Sequence, residues 1–316
     1  MGRFIVRRLF SMLLVLFAIS VLTFLIFQKI PNGDPALRLS GRTSTPEQIA
    51  AVRRQWHFND PIYTQYLSTM GKIFTGKVIS YQQQLNVWDQ IKHGIPRTMS
   101  LAIGAAVIWM VVAILFGVLG AVWAGRFADR ALTALSMIGV STPVFFLGAV
   151  ALYFLAFKVH IFPNTGYVPF AQSPWGWFSH LLLPWLVLAV LFIGVYSRVL
   201  RGTILDTIND DYVRTARAKG LTERNVLVRH VLRNSLIPII ALFGLDFAAL
   251  IGGGAILTES VFNINGVGQY AYNSVQQLDV PPVMVITMFT AFFVVLFSAL
   301  VDIAYAYLDP RIRLTG

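Results

Sequence analysis

The chain reads as an all-α integral membrane protein with six transmembrane helices, and three features of its 316 residues lead there. Hydrophobic residues make up 56% and charged residues 12%, with a mean hydropathy of +0.68, whereas soluble domains run nearer to about 25% charged. Six apolar runs, nearly free of charge, approach or exceed the length needed to cross about 30 Å of hydrocarbon at about 1.5 Å per helical residue. Lys and Arg gather beside the ends of those runs on alternate sides. The formal charge of +11 is therefore topological, since no groove-sized basic patch with interleaved aromatics points to nucleic acid. With no cysteine, neither disulfides nor thiolate metal sites are available, and the redox compartment stays open.

The first run, Leu9 to Phe27, follows Arg3, Arg7 and Arg8. A secretory signal has a similar head. This run is long, however, and Gln28, Lys29, Ile30 and Pro31 offer no A-x-A type cleavage site, so it is expected to stay as the first helix. Residues 31–97 are expected to form an external subdomain. Pro31, Asn32, Gly33 and Pro35 predict a turn. Thr45 to Trp56 predicts a helix with Thr45 as cap, Pro46 at the first position, Glu47 in the first turn and Ile49, Val52 and Trp56 on one face. Pro61 to Ile73 predicts another, with Ile62, Tyr66, Leu67 and Met70 on one side. The second span is Thr98 to Gly125 and the third Ala131 to Phe157, interrupted only by Pro143. The fourth, Leu181 to Ser197, carries Pro184, expected to kink it or lie near its start. The fifth, Ser235 to Thr258, has Asp246 as its only charge, and the sixth is Val283 to Val301.

Orientation follows from the short connections. Arg126 and Arg130 separate spans two and three, seven Lys or Arg residues lie within Leu200 to Ser235, and Arg311 and Arg313 close the chain. Glu259 to Pro282 has none, and Lys158 to His180 has only Lys158. The positive-inside rule then puts both termini, the second loop and residues 200–238 in the cytoplasm. Residues 31–97 contain several cations, but loops of that length translocate with little regard to charge.

The most charged stretch, Asn209 to Pro238, predicts two short helices meeting at a glycine. Asn209 is the expected N-cap, Asp210 and Asp211 suit the positive helix end, and Lys219 suits the negative one. Gly220 can take the left-handed conformation that stops a helix, and Thr222 can cap the next. Within it, the runs YVRTARAKG and RNSLIP resemble the coupling-loop signature of bacterial ABC importer permeases in its peptide and nickel form, the B-type chain of the dipeptide group. Ala216, Gly220, Ile237 and Pro238 keep the general pattern. Arg214 stands where that pattern has Glu, Thr215 replaces its first Ala, and the spacer is longer. The turn at Pro31 and the stretch through Gly139, Val140, Ser141 and Pro143 are also similar, so the resemblance covers nearly the full length.

The resemblance implies a type I ABC importer permease fold as one domain, 1–316, in a bacterial plasma (inner) membrane. It implies docking of an ATPase on Arg214, Thr215, Ala216, Arg217, Lys219, Gly220 and Leu221. The implied partners are a second homologous permease subunit, two cytoplasmic ATPase subunits that hydrolyse the ATP, and an extracytoplasmic substrate-binding protein. Dipeptides or oligopeptides are the implied cargo. The plainer reading of the same stretch, a solvated basic loop, stays open.

No catalytic constellation is evident. Gly71 to Val78 imitates a phosphate-binding loop, but Val78 has no hydroxyl for magnesium. Gly266, Gly268 and Ala271 imitate a dinucleotide fingerprint without a preceding strand, and a glycine turn explains them better. The five histidines form no metal-ligand pair with a glutamate, and there is no G-x-S-x-G elbow. The chain is therefore expected to bind no cofactor or metal and to be no enzyme. Asp246 lies about 12 Å along the helix from Pro238. A lone carboxylate there costs roughly 2.5–3.5 kcal/mol, so it either lines the translocation route and meets a cationic group, or forms a structural pair or stays protonated. Gly252, Gly253 and Gly254 suggest close helix approach or a hinge. Asp302 is expected to pair with Arg198 or Arg201. A nickel or glutathione importer would share this scaffold. An ion-coupled secondary transporter could use Asp246, although no convincing internal repeat is present.

Overall fold

A computed structural model describes residues 2–29, 36, 45–55 and 58–308. In chain order the helices are α1 (Gly2–Phe24), α2 (Pro46–Gln55), α3 (Ile62–Phe74), α4 (Val87–Val122), α5 (Phe127–Ser141), α6 (Val144–Lys158), α7 (Pro174–Thr207), α8 (Asp211–Ala218), α9 (Glu223–Gly254), α10 (Ile256–Phe262), α11 (Val267–Gln276) and α12 (Val280–Leu308). Among the described residues there is no β-strand, only an isolated bridge between Ile79 and Asn86. The two amphipathic helices expected before the second span are α2 and α3. Pro31, Asn32, Gly33, Pro35, Trp56, Arg311 and Arg313, and the side chains of Arg3, Val52 and Asp302, lie outside the described residues.

Local chemistry sets where the long helices begin. Asn86 Oδ1 accepts from the amides of Trp88 and Asp89, so α4 starts eleven residues before the apolar run does. Ser173 Oγ accepts from Gly176, and Pro174 follows at the first helical position, so α7 starts well before Leu181. Pro184 consequently falls inside α7 rather than near its start.

Among the described residues five helices are long and apolar enough to cross a membrane, and α5 with α6, a pair bent by 98°, makes six when counted as one broken span. The third span is thus not one straight helix. Thr142 (ψ 121) and Pro143 (ψ 130) are both extended, because proline lacks an amide and its ring disfavours the helical conformation of the preceding residue. The fifth span also ends early. Gly253, at φ +136, breaks it before Thr258, and the segment expected as a loop from Glu259 onward holds most of α10 and all of α11.

Contacts fix the helix directions. Trp185 Nε1 donates to the Ser100 carbonyl at 2.9 Å and Leu200 packs at Gly117, so α4 and α7 run parallel and α5–α6 must bring the chain back between them. Gly139 and Gly194 bring α5 against α7, where Ser136 and Ser197 hydroxyls meet at 3.0 Å. Gly244 meets Val301 and Gly252 meets Thr290, so α9 and α12 are antiparallel. Arg8 donates to Ser298 at 3.1 Å, while Phe24, at the other end of α1, shares a cluster with Met284 near the start of α12, so α1 and α12 are antiparallel as well.

One core cluster joins Trp109, Tyr196, Leu200 and Ile204 to Val213, Val226 and Val231, reaching the α8 hairpin. A second joins Phe24, Met70, Ile73, Val87, Val267 and Met284 at the opposite end. Large apolar side chains remain exposed along the spans, Phe10, Leu13, Phe17, Leu115, Ile138 and Phe146 among them. Such a belt suits lipid and would drive a water-soluble chain to associate.

Candidate functional site

Two features stand out, a polar hairpin at one end of the bundle and an acid within it. Asp210, at ψ 148, occupies the N-cap position of α8 rather than Asn209. Asn209 Nδ2 donates instead to the Leu205 carbonyl at 3.1 Å, at the last turn of α7. Gly220 sits at φ +79. Its amide donates to Arg217 at 2.9 Å, and that of Leu221 donates to Ala216 at 3.4 Å. These two bonds satisfy the last carbonyls of α8 in the manner of a Schellman turn. Arg217 then spans the glycine with Nε at 3.0 Å and Nη2 at 3.3 Å from the two Glu223 oxygens. Thr222 occupies the N-cap position of α9, without a side-chain capping bond.

Val213 and Ala216 are buried and join the core through Val226 and Val231. Arg214, Thr215, Arg217, Lys219, Gly220 and Leu221 are exposed. Of the residues singled out in the sequence, Ala216 alone faces inward. The Arg214–Asp211 pair, at 3.7 Å with both side chains exposed, adds little stability.

Asp246 is half-buried and accepts a hydrogen bond from Tyr196 Oη at 2.7 Å. Trp109 stacks on Phe192 at 4.3 Å and lies 6.0 Å from Tyr196 and 5.6 Å from Phe243. The acid is thus held by a phenol at the edge of an aromatic cluster.

Arg201 forms a two-pronged pair with Asp129, Nε to Oδ1 at 2.7 Å and Nη2 to Oδ2 at 2.8 Å, and the Gly125 amide adds a third bond at 2.9 Å. Arg201 is thus paired with an acid in the first turn of α5, while the side chain of Asp302, its expected partner, lies outside the described residues. Arg198 Nε donates to the Gly194 carbonyl at 3.1 Å. Asp129 was readable as the one acid between Arg126 and Arg130, at the foot of the third span.

In the sequence Glu259 marks only the start of a loop without cations. It is 0% exposed. Thr98 Oγ1 donates to it at 2.6 Å and the Gln269 amide at 2.8 Å, while Thr98 Oγ1 in turn accepts from Val267 at 2.9 Å. A Cβ at Gly266 would fall 2.5 Å from that hydroxyl, so the glycine turn expected there is also a close approach. Burial pushes the Glu259 carboxyl above its usual 4.5, against the pull of its donors Thr98, Gln269 and Gly268. The folded chain then holds this proton to a higher pH than the unfolded chain does. This contribution to stability is complete below about 4.5 and falls as pH rises through the raised folded value. Glu259→Gln should flatten that slope, as read from unfolding midpoints in detergent across a pH series; an unchanged slope would place the titration elsewhere.

Alternating spans, a charged hairpin between two of them and a lone acid among aromatics define a multi-pass membrane transport subunit. The family described as binding-protein-dependent transport system inner membrane component matches residues 113–314, and its N-terminal region matches residues 1–102. The chain belongs to this family. It is similar to a probable peptide ABC transporter permease protein of Sinorhizobium fredii, 35% identical over 99% of this chain and 100% of that one. It is also similar to the dipeptide transport system permease protein of Lactococcus lactis, 33% identical over 99% and 100%. The glutathione transport system permease protein of Escherichia coli is 32% identical over 99% of each. Among solved structures, the inward-facing MetNI methionine ABC transporter superposes with a TM-score of 0.54, at 17% identity over 70% of this chain and 96% of that one. The fold is that of an ABC importer membrane subunit.

Proposed function

We propose that this chain is the permease subunit of an ATP-driven importer of dipeptides or oligopeptides. It works beside a second homologous permease, two cytoplasmic ATPase subunits and an extracytoplasmic substrate-binding protein. Both termini and the hairpin face the cytoplasm, and residues 31–97 face outward. The chain holds no cofactor of its own, and ATP is hydrolysed by the partners.

The observation that carries this reading is the hairpin. Gly220 closes it, Arg217 and Glu223 clamp it, and Val213 and Ala216 join it to the core, while Arg214, Lys219 and Leu221 point away. Force applied to such an element passes to α7 and α9 together. A ligand-driven switch requires different contacts in the two states, and exposed residues on a rigid elbow can supply them to an ATPase.

Asp246 belongs to the route in this reading, where its carboxylate meets a peptide's amino group and Tyr196 orients it. Uptake of a labelled dipeptide by cells lacking their own copy tests both parts. ATP depletion with the membrane potential maintained should stop uptake; continued uptake would favour ion coupling through Asp246. Asp246→Asn should lower uptake by about ten-fold and Tyr196→Phe, which keeps the acid, by much less. Equal losses would reduce Asp246 to a structural partner of Tyr196. Labelled glutathione distinguishes the other cargo, which identities of 32% and 33% leave undivided.

A further inference from the structure

At the base of the hairpin a recess of about 370 Å³ is lined by Tyr212, Arg229, His230, Arg233, Asn234 and Ile237. No acid borders it. Among the described residues neither Arg229 nor Arg233 has a carboxylate within ion-pair distance, whereas Arg201, Arg214 and Arg217 each have one. The walls are fixed rather than loose. Asn234 Nδ2 donates to Tyr212 Oη at 2.7 Å, and Tyr212 Oη donates to the His230 carbonyl at 3.4 Å, which ties α8 to α9 across the opening.

Position along α9 narrows what such a recess can hold. The uncharged run begins at Ser235, so Arg233 lies about 3 Å and Arg229 about 9 Å from it at about 1.5 Å per residue. The headgroup layer beside the hydrocarbon is roughly 5–8 Å thick, so one guanidinium sits within it and the other at its outer edge. Ile237, a turn further in, supplies an apolar wall at the depth of the glycerol and first methylenes. Two guanidiniums with no carboxylate beside them among the described residues, next to an apolar wall, suit a phosphodiester joined to acyl chains.

We propose that this recess is a binding site for the headgroup of an anionic phospholipid, with Arg229 and Arg233 on the phosphate and the Tyr212–Asn234 pair holding the cleft open. A bound lipid there would brace the hairpin against the bilayer, at the joint where α8 meets α9. The charges sit beside the apolar run rather than at the Gly220 tip, which favours lipid over an acidic patch on a protein partner. The site does not depend on which face of the membrane the hairpin occupies, nor on the cargo.

Native mass spectrometry of the purified full chain in non-ionic detergent tests it, with phosphatidylglycerol, phosphatidylcholine or inorganic phosphate added. Phosphatidylglycerol should be retained over phosphatidylcholine by on the order of thirty-fold, the value for two arginines near a membrane surface. Excess inorganic phosphate should not displace it. The R229Q/R233Q chain should lose that preference, R229K/R233K should keep most of it, and R126Q, which removes a cation elsewhere at the same end, should leave it intact. Equal retention of the two lipids by the native chain would overturn the proposal whatever the variants do. Displacement by inorganic phosphate would mean a site for free anions. Undiminished lipid adducts in R229Q/R233Q, together with loss of a copurifying ATPase, would assign the recess to a protein partner instead.

Discussion

Gly220→Val is expected to cut ATP-dependent peptide uptake by about ten-fold or more in a chain that still inserts and keeps its helices. A β-branched residue at φ +79 is disfavoured by roughly 1–2 kcal/mol, and relief requires leaving the left-handed region. Doing so breaks the bonds from Gly220 to Arg217 and from Leu221 to Ala216, and with them the register that lets Arg217 reach Glu223. The effect would be conformational rather than steric, since nothing lies within 4 Å of a Cβ built at this glycine. Gly220→Asn separates the two causes. Asparagine tolerates the left-handed region, so its uptake should lie close to that of the native chain. If valine transports as well as glycine in correctly inserted protein, the hairpin's shape is not what drives transport.

The largest loss of stability is expected from Asp129→Ala. The carboxylate is almost wholly buried, its side chain 6% exposed, and it takes two bonds from Arg201 and one from Gly125. Removing one partner of a buried pair costs roughly 3–5 kcal/mol because the other is left uncompensated. The Arg201 side chain is 32% exposed, so water recovers part of that, and a loss of about 2–3 kcal/mol is expected. Replacing both residues, Asp129→Ala with Arg201→Met, should cost less than the single change, because no charge is then stranded. Unfolding in detergent compares the three; a double variant worse than Asp129→Ala would mean that the pair matters for packing rather than for charge. This pair joins the first turn of α5 to the C-terminal end of α7, so its loss should also loosen the ground on which the hairpin stands.

Much of the architecture was legible because hydrophobic runs and helix punctuation are local. The apolar runs mark the crossings, and Gly220 and Pro143 mark breaks. The bend of 98° was not legible, because a proline announces an interruption while its angle depends on the extended Thr142 and on packing against α7. Helix lengths were underestimated wherever a polar amphipathic turn precedes the apolar run, as from Val87 to Arg97. Long-range polar partners were the hardest part. Thr98 and Glu259 are 161 residues apart, and the acid looked like an ordinary loop charge next to a glycine turn. Asp129 as the mate of Arg201 was missed because the two are 72 residues apart and the acid sits between two arginines of its own, Arg126 and Arg130. Asp246 was found because a charge inside a long apolar run is conspicuous; its phenol, Tyr196, was not, because tyrosine is unremarkable among aromatics.

The most direct measurement places a photo-cross-linking residue at Leu221, which is 39% exposed on the hairpin, and separately at Tyr63, which is 67% exposed at the opposite end. The chain is expressed with its natural neighbours in intact membranes, with and without nucleotide. Leu221 should capture a nucleotide-binding polypeptide, in a yield that changes between the ATP-bound and nucleotide-free states, and Tyr63 should capture none. Capture of that polypeptide from Tyr63 but not from Leu221, or a hairpin reached by impermeant reagents from outside the cell, would contradict the assignment of this elbow as the place where force enters the bundle.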